Sequence, residues 1–123
     1  HRAKDNLDAL SHAVCSMAVD MNAKAIAVCS MSGKTAMLVS RFRTPVPIVG
    51  MTTDRKVWRR LSLSWGVVPV MAEEFPNMDV MFYYAKKSAK AALDLQPGDN
   101  VVLTGGPVNG SHGNTNTIKV EML

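Results

Sequence analysis

One stretch of the chain has residue types and a spacing that suit a defined chemistry: Ser30-Met31-Ser32-Gly33-Lys34-Thr35. An apolar run from Ala23 to Cys29 precedes it, and Ala36-Met37-Leu38-Val39, which reads as the body of a helix, follows. A buried strand, a tight turn and a helix start, in that order, form an anion site. The first backbone N–H groups of a helix lack partners within it, and the helix dipole favours negative charge there. Ser30, Ser32 and Thr35 add hydroxyls, Gly33 lets the backbone approach closely, and Lys34 adds a positive charge. The chemistry is retention of a phosphate. The phosphate-loop pattern G-x-x-x-x-G-K-[ST] would put its first glycine at position 28, where Val28 stands, so that motif is absent. The competing expectation on the same residues is that Ser30 or Ser32 simply caps the helix.

Other candidate chemistry is thin. Glu73 and Glu74 are adjacent carboxylates in a polar loop with no partner base in view, so solvation explains them better than acid–base work. His1, His12 and His112 are scattered, and Cys15 and Cys29 sit in separate apolar stretches, which argues for buried reduced thiols over a metal site or a disulfide. Arg55, Lys56, Arg59 and Arg60 cluster on one side of a helix, where a solvated or subunit-facing surface is the plain reading. The net charge of +4 and an aromatic content of 6% suit anionic small ligands and give no platform for nucleic acid. No apolar run approaches the roughly 20 residues that span a membrane. With no secretory leader pattern in the sequence, a cytoplasmic setting is expected.

The elements that must position the turn follow from periodicity. Leu7, Leu10, Val14, Met17, Ala18 and Met21 recur at helical steps after a cap at Asp5-Asn6, and Asn22 is a left-handed stop. Ala25–Cys29, Ile48–Met51, Val67–Met71 and Val101–Thr104 are short apolar runs that read as strands, the first buried on both faces. Between them lie the helix to about Arg41, a helix capped by Thr52-Thr53-Asp54 with Val57, Trp58, Leu61 and Trp65 turned to the core, and a long helix from Asn77 or Asp79 to about Leu93. Met81, Tyr84, Ala85, Ser88, Ala89 and Ala92 form the inner stripe expected of that last helix. A glycine-rich loop, Gly105 to Asn114, precedes an alternating strand from Thr115 to Met122, expected at a sheet edge.

These units predict an α/β fold, a three-layer α/β/α domain over residues 1–123 with a mostly parallel five-stranded sheet and the last strand at an edge. The 30–35 turn and the glycine loop then both fall at carboxyl ends of strands, where such sheets bind ligands.

Six segments in register resemble the C-terminal domain of pyruvate kinase, in its bacterial form. They are Asn22-Ala23-Lys24-Ala25-Ile26, Ser32-Gly33-Lys34-Thr35-Ala36, Arg41 to Ile48, Trp65 to Val70, Pro97 to Val102, and Gly113 to Val120. The resemblance covers nearly all of the chain and implies a piece of a longer glycolytic enzyme that transfers phosphate from phosphoenolpyruvate to ADP with Mg²⁺ and K⁺. It implies no catalytic residue and no cofactor in this domain, which instead binds an allosteric effector and helps build a homotetramer. Carried over by position, Ser30, Met31, Ser32, Gly33, Lys34 and Thr35 would hold an effector phosphate, and Gly110, Ser111, His112 and Gly113 would close over the ligand. The strand from about Thr115 would lie near the subunit contact. Members tuned to fructose 1,6-bisphosphate can place a basic residue near the start of the last long helix, where this chain has Met81. A sugar monophosphate or AMP is therefore at least as well matched. The implied partners are that metabolite, the other domains of the enzyme and further copies of the chain, with neither nucleic acid nor membrane.

Overall fold

The computed structural model describes residues 6–29, 33–106 and 117–123. Within them the chain runs α1 (Asn6–Asp20), β1 (Ala25–Cys29), α2 (Lys34–Arg41), β2 (Ile48–Thr52), α3 (Arg55–Leu61), β3 (Val67–Met71), α4 (Met78–Leu93), β4 (Asn100–Gly105) and β5 (Thr117–Met122). The sheet order is β3-β2-β1-β4-β5. β1 pairs in parallel with β2 and β4, β2 pairs in parallel with β3, and β5 runs antiparallel to β4 at the edge.

This order decides where the helices go. The β1-α2-β2 and β2-α3-β3 crossovers step the same way across the sheet, so right-handedness puts α2 and α3 on one face. The β3-α4-β4 crossover steps back past β1 and therefore delivers α4 to the other face. The core divides accordingly. Ile26, Val28, Ile48 and Val102 point towards Val14, Ala18, Val39 and Leu61 of α1–α3. Ala25, Ala27, Val49, Val101 and Leu103 point towards Met81, Phe82, Ala85 and Ala89 of α4. β1 is buried at all five positions because it lies at the centre between these layers, as a strand covered on both faces must. β3, at the edge, is much less covered.

Local signals end the elements where physical chemistry expects. Asn22 takes a left-handed conformation with φ 51° after α1. The Asp54 side chain accepts from Lys56 N–H at 2.8 Å, and the Asn77 side chain accepts from Val80 N–H at 2.9 Å, each satisfying one unpaired donor of a first turn.

Four helical positions differ from their sequence expectation, one of them Ala92, which is exposed in the last turn of α4, off its buried stripe. Trp65 is exposed, because α3 stops at Leu61 and the indole lies in the following turn, where the Arg43 guanidinium sits 5.2 Å from its ring centre. Tyr84 is exposed and Phe82 takes its place inside, because the buried stripe of α4 runs 81, 82, 85, 89. The Tyr84 ring instead stacks on Phe75 at 5.5 Å. Met21 is exposed beyond the end of α1, whose inner face carries Ser11 and Cys15 besides Val14 and Ala18. The last strand is described over Thr117–Met122; Thr115 and Asn116, also expected in it, lie outside the described residues.

Candidate functional site

The parallel ladder sets Cys29, the last residue of β1, opposite Gly105, the last of β4, and opposite Met51 of β2. Gly105 in turn pairs with Thr117, the first residue of β5. Met51, Cys29, Gly105 and Thr117 therefore form one row across the carboxyl edge, each about 5 Å from the next. Between β1 and β4 the direction of the crossovers reverses, and such a switch point leaves a crevice outside the strand ends. Residues 30–32, which follow Cys29, and all but the first residue of the 106–116 connection lie outside the described residues. That connection departs from Gly105 and returns at Thr117, and Thr104 Oγ1–H donates to the Thr117 carbonyl at 2.9 Å to hold the two ends together.

Of the expected site residues, Gly33, Lys34 and Thr35 are described; Ser30, Met31 and Ser32, with Gly110, Ser111, His112 and Gly113, lie outside the described residues. Gly33 occupies the cap position of α2, with φ 72°, and Lys34 is the first helical residue. The cap position thus carries no side-chain acceptor, unlike those of α3 and α4. The Gly33 carbonyl accepts from Met37 N–H at 3.0 Å, which fixes the first turn. Gly33 is buried, because a Cβ there would overlap Cγ1 of Val57 in α3. A glycine is required here on two counts, the positive φ and the absence of room. Thr35 is fully buried and Lys34 is exposed, so the lysine's charge is presented to solvent at the helix start.

The floor of the crevice on the α4 side is apolar. A Cβ on Gly105 would lie 2.8 Å from Met81 Cε and 3.3 Å from Cys29 Cβ, so these groups close up around the glycine. Burial pushes the Cys29 thiol up to about 12, because the thiolate would lose its hydration. It stands as a neutral thiol at physiological pH and offers no nucleophile. Next to this floor, a cleft of about 460 Å³ opens between α4 and the segment 72–76, with Met51, Met71, Phe75 and Tyr84 among its lining residues and Glu73 and Glu74 beside them.

Sequence reasoning found the glycine, the lysine and the strand–turn–helix that carries them. It missed Val57 and Thr104 as parts of the site, since each arrives from another element, and reached Met81 only through the family resemblance. Among the described residues no group of three or more histidine, cysteine or carboxylate side chains could hold a metal ion. None of the described helices is long and apolar enough to cross a membrane.

Known proteins resemble this chain over nearly its whole length. The family model for the pyruvate kinase alpha/beta domain matches residues 8–121. The pyruvate kinase of Clostridium acetobutylicum is 34% identical over 120 residues, covering 98% of this chain and 25% of that protein. That of Thermotoga maritima is 40% identical over 117 residues, 94% of this chain and 25% of its own length. Pyruvate kinase 2 of Synechocystis is 39% identical over 116 residues, 94% of this chain and 20% of its own length. The chain thus spans a fifth to a quarter of the length of these curated relatives.

Proposed function

This chain belongs to the pyruvate kinase alpha/beta-domain family, and from that premise we propose that it is the regulatory and oligomerising domain of a pyruvate kinase. In this reading a phosphorylated metabolite binds at residues 30–35, and its binding is sensed by neighbouring subunits. Transfer of phosphate from phosphoenolpyruvate to ADP, with its Mg²⁺ and K⁺, belongs to the rest of the enzyme. The observation that supports the reading best is the pairing of Cys29 with Gly105 at the reversal of the crossovers. It brings the start of the phosphate-type turn beside the start of the glycine-rich connection, at the one edge where a sheet of this kind offers ligands a crevice.

Physically, a phosphate over the first turn of α2 would accept from N–H groups of that turn and gain from the helix dipole and Lys34. Its closure by residues 110–113 would couple it to β5, which begins directly after that connection. Among the described residues β5 has β4 on one side only, and the open side of an edge strand is a place for a second copy to pair. An effector shifts an equilibrium only by its differential affinity for two states, typically worth about 1–3 kcal/mol, and a segment ordered by the ligand and joined to a subunit contact could supply it.

The test is calorimetric titration with ribose 5-phosphate, glucose 6-phosphate and AMP, run beside Lys34→Ala. One of the three is expected to bind, and the variant is expected to weaken it by about tenfold or more, since a charge-assisted hydrogen bond contributes about 1.5–3 kcal/mol. Binding that is unchanged in Lys34→Ala would refute the assignment of the site. A purely structural assembly domain is the second reading, favoured by the open edge of β5; it predicts oligomerisation with no ligand bound.

A further inference from the structure

The two edges of the sheet differ in what their backbones offer an incoming strand. Ile48 N–H donates to the Gly66 carbonyl at 3.0 Å, and Ala72 N–H donates to the Thr52 carbonyl at 2.9 Å. In the register Ile48↔Val67 to Thr52↔Met71, alternation along the parallel ladder turns the N–H and C=O groups of Val68 and Val70 towards β2. The backbone groups of Val67, Pro69 and Met71 therefore point away from the sheet. Val67 N–H is taken by the Ser64 carbonyl at 3.3 Å, and Pro69 has no N–H at all. At most Met71 offers a donor outward.

At the other edge, Leu123 N–H donates to the Asp99 carbonyl at 2.9 Å, beside the pair Asn100↔Met122. The antiparallel ladder then turns the backbone groups of Lys119 and Glu121 towards β4 and those of Ile118, Val120 and Met122 outward. None of these three is proline, so the β5 edge carries no such block.

β3 is the edge in greater need of one. Among the described residues it pairs with β2 alone, Val68 and Met71 are 36% and 45% exposed, and no residue from Leu61 to Ala72 is charged. An apolar edge strand recruits other chains unless charge, a bulge or a proline blunts it. Here the device is proline, at the middle of five strand residues with its nitrogen on the open side.

We propose that Pro69 closes the β3 edge to strand addition by a second copy of this chain. In a symmetric antiparallel pairing of two β3 strands centred on this position, Pro69 would face Pro69. The two hydrogen bonds that such a pair exchanges would both be missing, and each ring would meet the opposing carbonyl.

Sedimentation velocity over a range of concentrations, on the protein and on Pro69→Val, tests this. Valine restores one N–H per copy at the centre of the pair, so Pro69→Val is expected to associate about tenfold more tightly or better. In the associated variant the new amide at position 69 is expected to be protected from exchange. Adding Val68→Lys, which puts a charge on the same edge, is expected to return the variant to the behaviour of the unaltered protein. Identical association of the protein and Pro69→Val would overturn the proposal. So would association that survives Val68→Lys, since it would trace to unfolding and not to the edge.

Discussion

Gly33→Ala is expected to lower stability by about 2–5 kcal/mol, from roughly 1–2 kcal/mol for a left-handed non-glycine residue and 1–3 kcal/mol for forcing a methyl into a filled space. At about 4 °C per kcal/mol for a domain of this size, the melting temperature should fall by roughly 8–20 °C. The obstacle is Cγ1 of Val57, a β-branched side chain on α3 with little rotameric freedom. Gly105→Ala makes the instructive comparison. Its new methyl meets Met81 Cε, the end of a flexible side chain that can move away, so its cost should stay within about 1 kcal/mol. Thermal melts of both variants, with Gly33→Ala also made in a Val57→Ala background, would check this. Relief of about 1–2 kcal/mol in the double variant is the signature of a direct clash. The two glycines lie on either side of the same crevice; the nearest obstacle is a stiff side chain at Gly33 and a flexible chain end at Gly105, where Cys29 Cβ and its carbonyl oxygen stand further off at 3.3 and 3.4 Å.

Phe82→Ala should cost about 3–5 kcal/mol, the largest loss expected of a single truncation here. Its ring is 3% exposed and sits between α4 and the sheet. α4 is the single described helix on that face, so no neighbouring helix can close over the space. The ring also carries Lys119 of β5 at 5.5 Å, a contact worth about 0.5–1 kcal/mol at a partly exposed site. Urea unfolding would measure the global loss. Amide exchange would show whether β5 loosens more than β1, as it should if Phe82 also holds the edge strand. Since β5 is the strand proposed to meet a second copy, the variant should also weaken any oligomer.

Much of the architecture was legible because its signals are local. Ala25–Cys29 and Val67–Met71 have the bounds that their apolar runs and flanking turns imply, and Asn22, Asp54 and Asn77 act as stop and caps by side-chain chemistry within a few residues of themselves. The misplacements of Trp65 and Tyr84 have different causes, a helix end and a helix phase. Helical periodicity gives a stripe its spacing, but its phase depends on what covers it. α3 ends before Trp65, and α4 is rolled so that Phe82 faces the sheet.

The site divides in the same way. Gly33, Lys34 and the helix start could be read from consecutive residues. That β4 lies next to β1 could not, because strand order is decided by crossover handedness and burial over the whole chain. Nor could the crowding of Gly33 by Val57 or of Gly105 by Met81, each of which joins elements well separated in sequence.

The most direct test of the central claim is an amide-resolved NMR titration of the protein with ribose 5-phosphate. If the phosphate is held at the switch point, the largest shifts fall on Gly33, Lys34 and Thr35, with smaller ones on Gly105 and Gly106 across the β1–β4 pair, and they saturate together. Shifts confined to other parts of the molecule, such as the turn around Trp65, or no shifts at millimolar ligand, would contradict it.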